Sequence, residues 1–457
     1  MKMRYNGIFS ICMAVTVLSA CSDFTETTPK GKVIPTTTDD FKGMVVDVTN
    51  SSAAYPLANI CSDDVFSATQ NGNTTTGKAY YWMEDFYKAN EGDNAWNDVY
   101  SMIYKMNVVV DKVMDSMEGT EAEKMEVLAE AKVWRAYYYW YLQSLYAKDY
   151  SEADAATDLS VPLSLHADLE ARLPRATVAD VTAQIWSDLK DAERYMPDEP
   201  VNNYRPTKAS VYALKARIYF YQHQYDDAAE QARLALQVNS GLNDMRNWSF
   251  KNENRPSSGI NGRPVNYYES PEKIWYQGNG FASMVTSFCI SDDLKALYEP
   301  GDLRFKFLFT NRTRNGELWE DGLYRYLQNL DYSFTVPEMM LIEAEAMARK
   351  NDSKALDILN DLRKCRFADE DYKELTADNT RSLLDIVLEE RRRELCISGL
   401  RWLDMKRLAA ENIYTTTVTR TLGDDTYTLA PNSKLYVFPI PLQVLELNAN
   451  VVPNDRK

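Results

Sequence analysis

From Val127 onward the apolar positions Val127, Ala131, Trp134, Tyr138, Tyr141, Leu142 and Leu145 recur at intervals of three and four, the period of one helical face. A long helix is expected there. Thr177 followed by Asp180 resembles a capping box, and Val178, Val181, Ile185, Leu189 and Ala192 continue on one stripe until Pro197 stops it. Thr207, just after Arg205 and Pro206, reads as the N-cap of a third helix carrying Ala213, Ala216, Tyr219 and Phe220. Its partner is expected from Asp226 through Ala228, Ala232, Ala235 and Leu236, ending near Gly241 as the C′ residue.

Ala216, Tyr219, Ala228 and Ala235 follow the small, aromatic, small, small pattern of a tetratricopeptide repeat. Small residues let paired helices approach, and the ring fills the gap between repeats. Glu338 to Lys350 and Lys354 to Arg366 form a more degenerate second pair, with Ala344, Ala346, Ala355 and Leu359 as its contacts. Further helices are expected along Leu383, Leu384, Val387, Leu388 and Leu395, and from Leu400 to Ala409. The expected fold is mostly α: a tetratricopeptide-like α-α superhelix with long irregular ligand-binding loops and a few short strands.

The interval from Asn239 to Phe334 breaks this pattern. Asn243, Asn247, Asn252, Asn254, Asn261 and Asn266 crowd together with Pro256, Gly259, Gly262 and Pro264, the mark of an irregular loop. Strand-like runs appear at Ile274 to Gln277 and at Arg304 to Thr310. Long ordered loops on a helical scaffold are where function concentrates.

Composition narrows the possibilities. Gly and Pro number only 17 each in 457 residues, against a combined average near 12%, which agrees with helix over turn-rich β structure. A net charge of −16 repels phosphate backbones, so nucleic acid is not an expected partner.

The N-terminus reads as a targeting segment. Lys2 and Arg4 precede an apolar run from Ile8 to Ala20, and Leu18-Ser19-Ala20-Cys21 closes it. The run is too short to cross a bilayer core of about 30 Å and fits a signal peptide. Leu-Ser-Ala-Cys looks like a bacterial lipobox, making Cys21 the lipidated residue and the attachment to the membrane. Ser22, Asp23 and Glu26 are similar to an acidic export signal for surface lipoproteins. Residues 1–20 are thus expected as signal peptide, 21–38 as lipidated N-terminus and tether, and 39–457 as a single domain. Within that domain, helix pairs at about 94–236 and 337–411 flank an irregular region at about 239–335.

Catalytic chemistry finds little support. Cys61, Cys289, Cys365 and Cys396 show no CxxC spacing, so buried free thiols are expected, although the compartment permits a disulfide. His166 and His223 lack neighbouring Cys or His and no HExxH occurs, so neither a triad nor a zinc site is expected. Gly278 to Ser283 lacks the third glycine of a nucleotide loop. Glu343 with Glu345, and Glu389 with Glu390, sit one or two apart on helices and diverge, which favours a salt-bridged face over a glycosidase acid pair. No catalytic residue, metal or cofactor is expected, and nothing in the sequence indicates bound calcium.

A binding surface remains. Sugar rings present apolar C–H faces rimmed by hydroxyls, so an aromatic platform beside amides and acids suits a glycan. Tyr81, Trp82, Trp248, Tyr267, Tyr268, Phe281 and Trp319 lie outside the helical stripes and are the expected ligand-binding residues.

Several elements resemble the SusD/RagB family of nutrient-binding lipoproteins. Trp96, Tyr100, Ile103 and Asn107 match its first characteristic helix, and Arg135 to Tyr139 with Leu142 and Tyr146 its aromatic helix. Arg175, Thr177, Asp188 and Leu189, then Lys208, Ala209, Lys215, Ala216 and Arg217, follow in order, and Asp302 with Arg304 resembles its D-x-R element. Glu390-Arg391, Glu394-Leu395, Gly399, Arg401-Trp402, Asp404 and Arg407, with Pro439-Ile440-Pro441 beyond, are the most specific match. Ser398 departs from the family's usual Glu, and the tail from Asn448 lacks its usual Gln-Asn-Pro-Gly ending.

The resemblance implies an outer-membrane, cell-surface lipoprotein that captures oligosaccharides or polysaccharide and passes them to a SusC-like TonB-dependent transporter. It implies binding without catalysis, and buried ion pairs for Arg391, Glu394, Arg401 and Asp404. A peptide-capturing member of the family and a glycosidase on a helical scaffold are the alternatives.

Overall fold

The computed structural model describes residues 34–47, 56–69, 71–87, 94–199, 202–264, 269–277, 279–280, 288–376 and 381–457. Met1–Thr36 and Thr37–Lys457 separate into two units, and the second carries everything below. Its first half runs α1 (Thr38–Asp47), α2 (Pro56–Cys61), α3 (Thr75–Tyr80), α4 (Asn94–Lys112), α5 (Glu121–Tyr146), α6 (Val178–Glu193), α7 (Lys208–Tyr221) and α8 (Tyr225–Val238). Helices α5, α6 and α7 each start at a threonine whose side chain accepts from a backbone N–H three residues on. Each such cap contributes about 1 kcal/mol.

Helix α5 exceeds the amphipathic stripe that its sequence suggests. Trp134, Tyr137, Tyr138, Tyr139, Trp140, Tyr141 and Tyr146 are all buried, because α4, α6 and α7 pack around it. Its Arg135 is buried too, donating to both oxygens of Asp188 at 2.8 and 2.7 Å and to Asn107 at 2.9 Å. Helices α7 and α8 pack closely, with Ala216, Ala228, Ala232 and Ala235 fully buried, as the repeat spacing predicts. Gly241 does not cap α8. The helix ends on Asn239 in extended backbone, and Gly241 instead permits a close approach: a Cβ there would lie 2.9 Å from Pro271.

Short elements fill the irregular region. A four-stranded antiparallel sheet has the order β1 (Val65–Ser67), β8 (Phe288–Ile290), β10 (Arg325–Tyr326), β9 (Phe309–Thr310). Strand β6 (Lys273–Trp275) pairs with β12 (Phe334–Thr335), β4 (Ser249–Phe250) with β5 (Ile260–Asn261), and β7 (Asn279–Gly280) with β11 (Leu330–Asp331). Helices α9 (Asp292–Ala296) and α10 (Leu303–Leu308) lie between them. The expected strand over Arg304 to Thr310 is therefore α10 followed by the two-residue β9. The Asp302 side chain accepts from Arg304 N–H and starts the turn.

The second half contains α11 (Val336–Arg349), α12 (Lys354–Lys364), α13 (Leu383–Leu395), α14 (Arg401–Ala410) and α15 (Leu442–Leu447). Helix α11 packs on α8, α12 and α13, joining the two halves. Arg391 pairs with Asp404 at 2.9 Å, but Arg401 reaches Asp63, 2.7 Å away near the start of the domain, and Glu394 takes Arg366 at 2.7 Å and Arg304 at 2.9 Å. These pairs clamp distant segments to the terminal helices. The tail docks through side chains: Asn454 donates to the carbonyls of Tyr146 and Phe438, and Arg456 to those of Met83 and Glu84.

Three of the four acidic neighbours on the helices, Glu345, Glu389 and Glu390, are salt-bridged, whereas Glu343 has no ion pair among the described residues and burial raises its carboxyl above the usual range. Glu345 bonds Arg407 at 2.6 Å and Arg349 at 2.8 Å, and Glu390 bonds Arg304 at 2.6 Å and Arg393 at 3.0 Å. All four cysteines among the described residues are free thiols.

Candidate functional site

The segment after α8 turns through a single 3₁₀ turn at Met245–Asn247, which Asp244 caps by accepting from Arg246 N–H at 3.0 Å. That turn delivers Trp248 to the start of β4, where its ring meets Phe307 edge-on at 5.6 Å. The Arg263 guanidinium stands 5.7 Å from the same ring and bonds Gln328, which in turn donates to the Phe307 carbonyl at 3.0 Å. The indole remains half-buried. Beside it lies a narrow cleft of about 100 Å³, bounded by the irregular region, the start of α11 and the end of α13, and Arg263 lines the same cleft.

Polar groups crowd the rest of the wall. Glu272 accepts from Asn243 N–H and its side-chain amide, each at 2.9 Å, and from Arg366 at 2.6 Å. Asn243 also donates to Ser270 Oγ at 2.8 Å. Lys273 pairs with Asp331, whose other oxygen accepts from Ser333 N–H at 3.1 Å. Burial opposes charge on Asp331, yet Lys273 and the Ser333 bonds prevail and hold its carboxyl below the usual range. Glu394 behaves likewise: burial is outweighed by Arg366 and Arg304.

Every carboxylate on this wall is committed to a cation: Glu272 to Arg366, Asp331 to Lys273, Glu338 to Arg217, and Glu394 to Arg366 and Arg304. A glycosidase acid needs its pKa raised, and Asp331 and Glu394 are shifted the other way. The wall presents an aromatic face beside fixed hydrogen-bonding groups, which suits a polyhydroxylated ligand.

The structure sorts the expected ligand residues. Trp248 lines the cleft. Tyr81 and Trp82 do not: they are 1% and 2% exposed, and this corrects the expectation. Tyr81 packs against Tyr80 and Tyr427 at 4.9 and 5.2 Å. Trp82 donates its indole N–H to the Cys61 carbonyl at 2.9 Å, with Arg420 4.1 Å over its ring. These rings hold the α2–α3 region to the β13 (Val418–Leu422) and β14 (Asp425–Leu429) hairpin. Trp319 is half-buried with Arg325 4.0 Å over its ring and is not part of the cleft wall. Tyr267, Tyr268, Phe281 and the lipidation candidate Cys21 lie outside the described residues. Sequence reasoning missed Arg263, Glu272, Lys273 and Asp331; nothing in their local pattern distinguishes them from other loop charges. Among the described residues no group of three or more His, Cys, Asp or Glu is placed to hold a metal ion.

Comparisons with known proteins give a consistent picture. A family model described as starch-binding, associating with the outer membrane, matches residues 23–220, and a SusD family model matches residues 334–456. Two curated relatives come from Formosa agariphila, SusD-like protein P38 and SusD-like protein P2, each 23% identical. The alignments cover 68% of this chain and 71% of the first relative, and 79% of each for the second. Among solved structures, a SusD superfamily protein from Bacteroides thetaiotaomicron superposes with a TM-score of 0.71 at 18% identity, covering 92% of this chain and 100% of that one. A SusD-like carbohydrate binding protein from Bacteroides vulgatus gives 0.68 at 21% identity, covering 91% and 97%.

Proposed function

The chain belongs to the SusD/RagB family, and on that premise we propose that it is a cell-surface lipoprotein which binds glycans and delivers them to a partner TonB-dependent outer-membrane transporter. The observation that carries the glycan reading is the cleft at Trp248, an indole packed on Phe307 and flanked by Arg263, Asn243, Ser270, Glu272 and the Lys273–Asp331 pair. Stacking on such a ring and hydrogen bonds from its neighbours together suit a pyranose. The outer-membrane association in the description of the matching family model supports the placement. The lipobox ending at Cys21 supplies the anchor, and no helix among the described residues is long and apolar enough to cross a membrane.

In this reading the protein performs no bond cleavage. Uptake needs only a difference in affinity between open and closed arrangements of binding protein and transporter. Titration with a panel of oligosaccharides, in competition with mixed peptides, tests the ligand class: glycan binding that peptides do not displace is expected. Displacement by peptides in the absence of any glycan binding overturns it. New reducing ends after prolonged incubation would overturn the non-catalytic part. Co-purification with a transporter, lost on Cys21→Ala release from the membrane, tests delivery.

A further inference from the structure

Two buried cations meet at the C-terminal end of α5, each hydrogen-bonded only to backbone carbonyls; Asp149 attracts Lys406 without bonding it, and burial outweighs that attraction. Lys406, on α14, donates to the carbonyls of Ser144 at 2.7 Å and Ala147 at 3.2 Å. Arg175 opens β3 (Arg175–Thr177), which pairs with β2 (Leu159–Pro162). It donates to the carbonyls of Ser160 at 2.6 Å, Leu159 at 3.0 Å, Val452 at 3.2 Å and Tyr146 at 3.3 Å. The two side chains line one groove of about 590 Å³, and Lys406 also lines a small adjoining cavity of about 40 Å³.

The other charges on this groove cancel. Lys148 pairs with Asp158 and Lys434 with Asp455, each at 2.5 Å. Asp149 accepts from His223 at 2.7 Å. Burial disfavours the charged imidazole, but its bonds to Asp149 and Glu411 raise His223 to about 9, so it is protonated at neutral pH. What remains is the pair Arg175 and Lys406. The α5 terminus offers them about half a negative charge, well short of two. Burial accordingly depresses Lys406 to about 8 and Arg175 to about 10.

Capping α5 accounts for the position of both cations but not for the surplus charge or the open groove beside them. Arg420 and Arg456 are also held by carbonyls, and neither lines this groove. The volume exceeds what a bare ion needs and falls in the size class of small-molecule sites. Thr157, Asn432, Ser433 and the Tyr436 ring add neutral polar and aromatic surface.

We propose that this groove binds an oxyanion carried on a saccharide, a carboxylate or sulfate ester, with Lys406 and Arg175 at its base and the exposed Lys148 and Lys434 at its rim. The site is separate from the Trp248 cleft, so the two stand or fall independently. Calorimetric titration of the intact protein with D-glucuronate, D-glucose and inorganic sulfate tests it, together with the anomalous signal of crystals soaked in selenate. Glucuronate is expected to bind where glucose does not. Lys406→Met should weaken it at least tenfold, and Lys148→Gln/Lys434→Gln should weaken it severalfold. Selenate density between Lys406 and Arg175 in the unmutated protein locates the site even if Lys406→Met fails to fold. Binding of neither glucuronate nor sulfate, unchanged affinity in both lysine variants, or a groove empty of selenate would overturn the proposal.

Discussion

Arg217 donates to both carboxylate oxygens of Glu338, at 2.6 and 2.5 Å, with each side chain 1% exposed and the guanidinium 3.5 Å over the Phe334 ring. The pair joins α7 of the first repeat to the first turn of α11, and Glu338 also forms part of the cleft wall. Removing one member of a buried pair strands the other charge and costs about 3–5 kcal/mol, whereas replacing both by apolar groups is often neutral. Glu338→Leu should therefore lower stability by about that amount in urea unfolding, and Arg217→Met/Glu338→Leu should recover most of it. Additive losses in the double variant would show that the two residues act separately.

His223 links Asp149, after α5, to Glu411, after α14, at 2.7 Å on each side. Its pKa is raised from 6.5 to about 9, burial opposing and the two carboxylates prevailing. A raised folded-state pKa gives stability that is full below about pH 6.5 and lost as pH rises through about 9. Partial exposure to water limits the amount to about 1–2 kcal/mol. Lys406 contributes with the opposite slope above pH 8, so the informative quantity is the difference between unmutated protein and His223→Asn. Asn tolerates the left-handed backbone, φ 61°, at this position. That difference should shrink between pH 6.5 and 9; a constant difference would contradict the linkage.

Trp82 is 2% exposed and adopts φ 51°, a left-handed conformation uncommon for a bulky residue. Its burial and its bond to the Cys61 carbonyl outweigh that strain. Trp82→Ala should cost about 3–5 kcal/mol in unfolding experiments, with ligand affinity of the folded fraction unchanged. A selective loss of affinity at normal stability would restore Trp82 to the binding surface.

Burial pushes the Cys61 and Cys396 thiols up to about 12 and Cys289 to about 11, while Cys365 is half-buried. In a form beginning after Cys21, a disulfide-exchange reagent at pH 8 should label at most Cys365 in the native state. Denaturation should expose three more thiols; rapid native labelling of all four would contradict the packing.

Periodicity locates helices α5, α6, α7, α8 and α11 to α14, and Thr177 and Thr207 mark two of the starts, but the short helices α2, α3, α9, α10 and α15 span too few turns to show a period. Those features are local, and the chain declares them within a few residues. The region from Asn239 to Phe334 was legible as irregular but not in its details. Arg304 to Thr310 alternates like a strand, yet Asp302 caps a helical turn there. Tyr81 and Trp82 stand beyond the helical stripes and still enter the core, because Tyr427 and Arg420, more than 300 residues away in sequence, close over them. The cleft wall depends on the same kind of long-range partner: Glu272 needs Arg366, and Asp331 needs Lys273. Single-residue patterns carry no record of such pairings.

The most direct test of the glycan-binding account is calorimetric titration of the best ligand from an oligosaccharide panel into the unmutated protein and Trp248→Ala. An anchoring aromatic contributes about 2 kcal/mol or more at a binding surface, so the variant, folded but somewhat less stable for the lost packing on Phe307, should bind at least tenfold more weakly. Unaltered affinity in a folded Trp248→Ala protein would contradict the central claim.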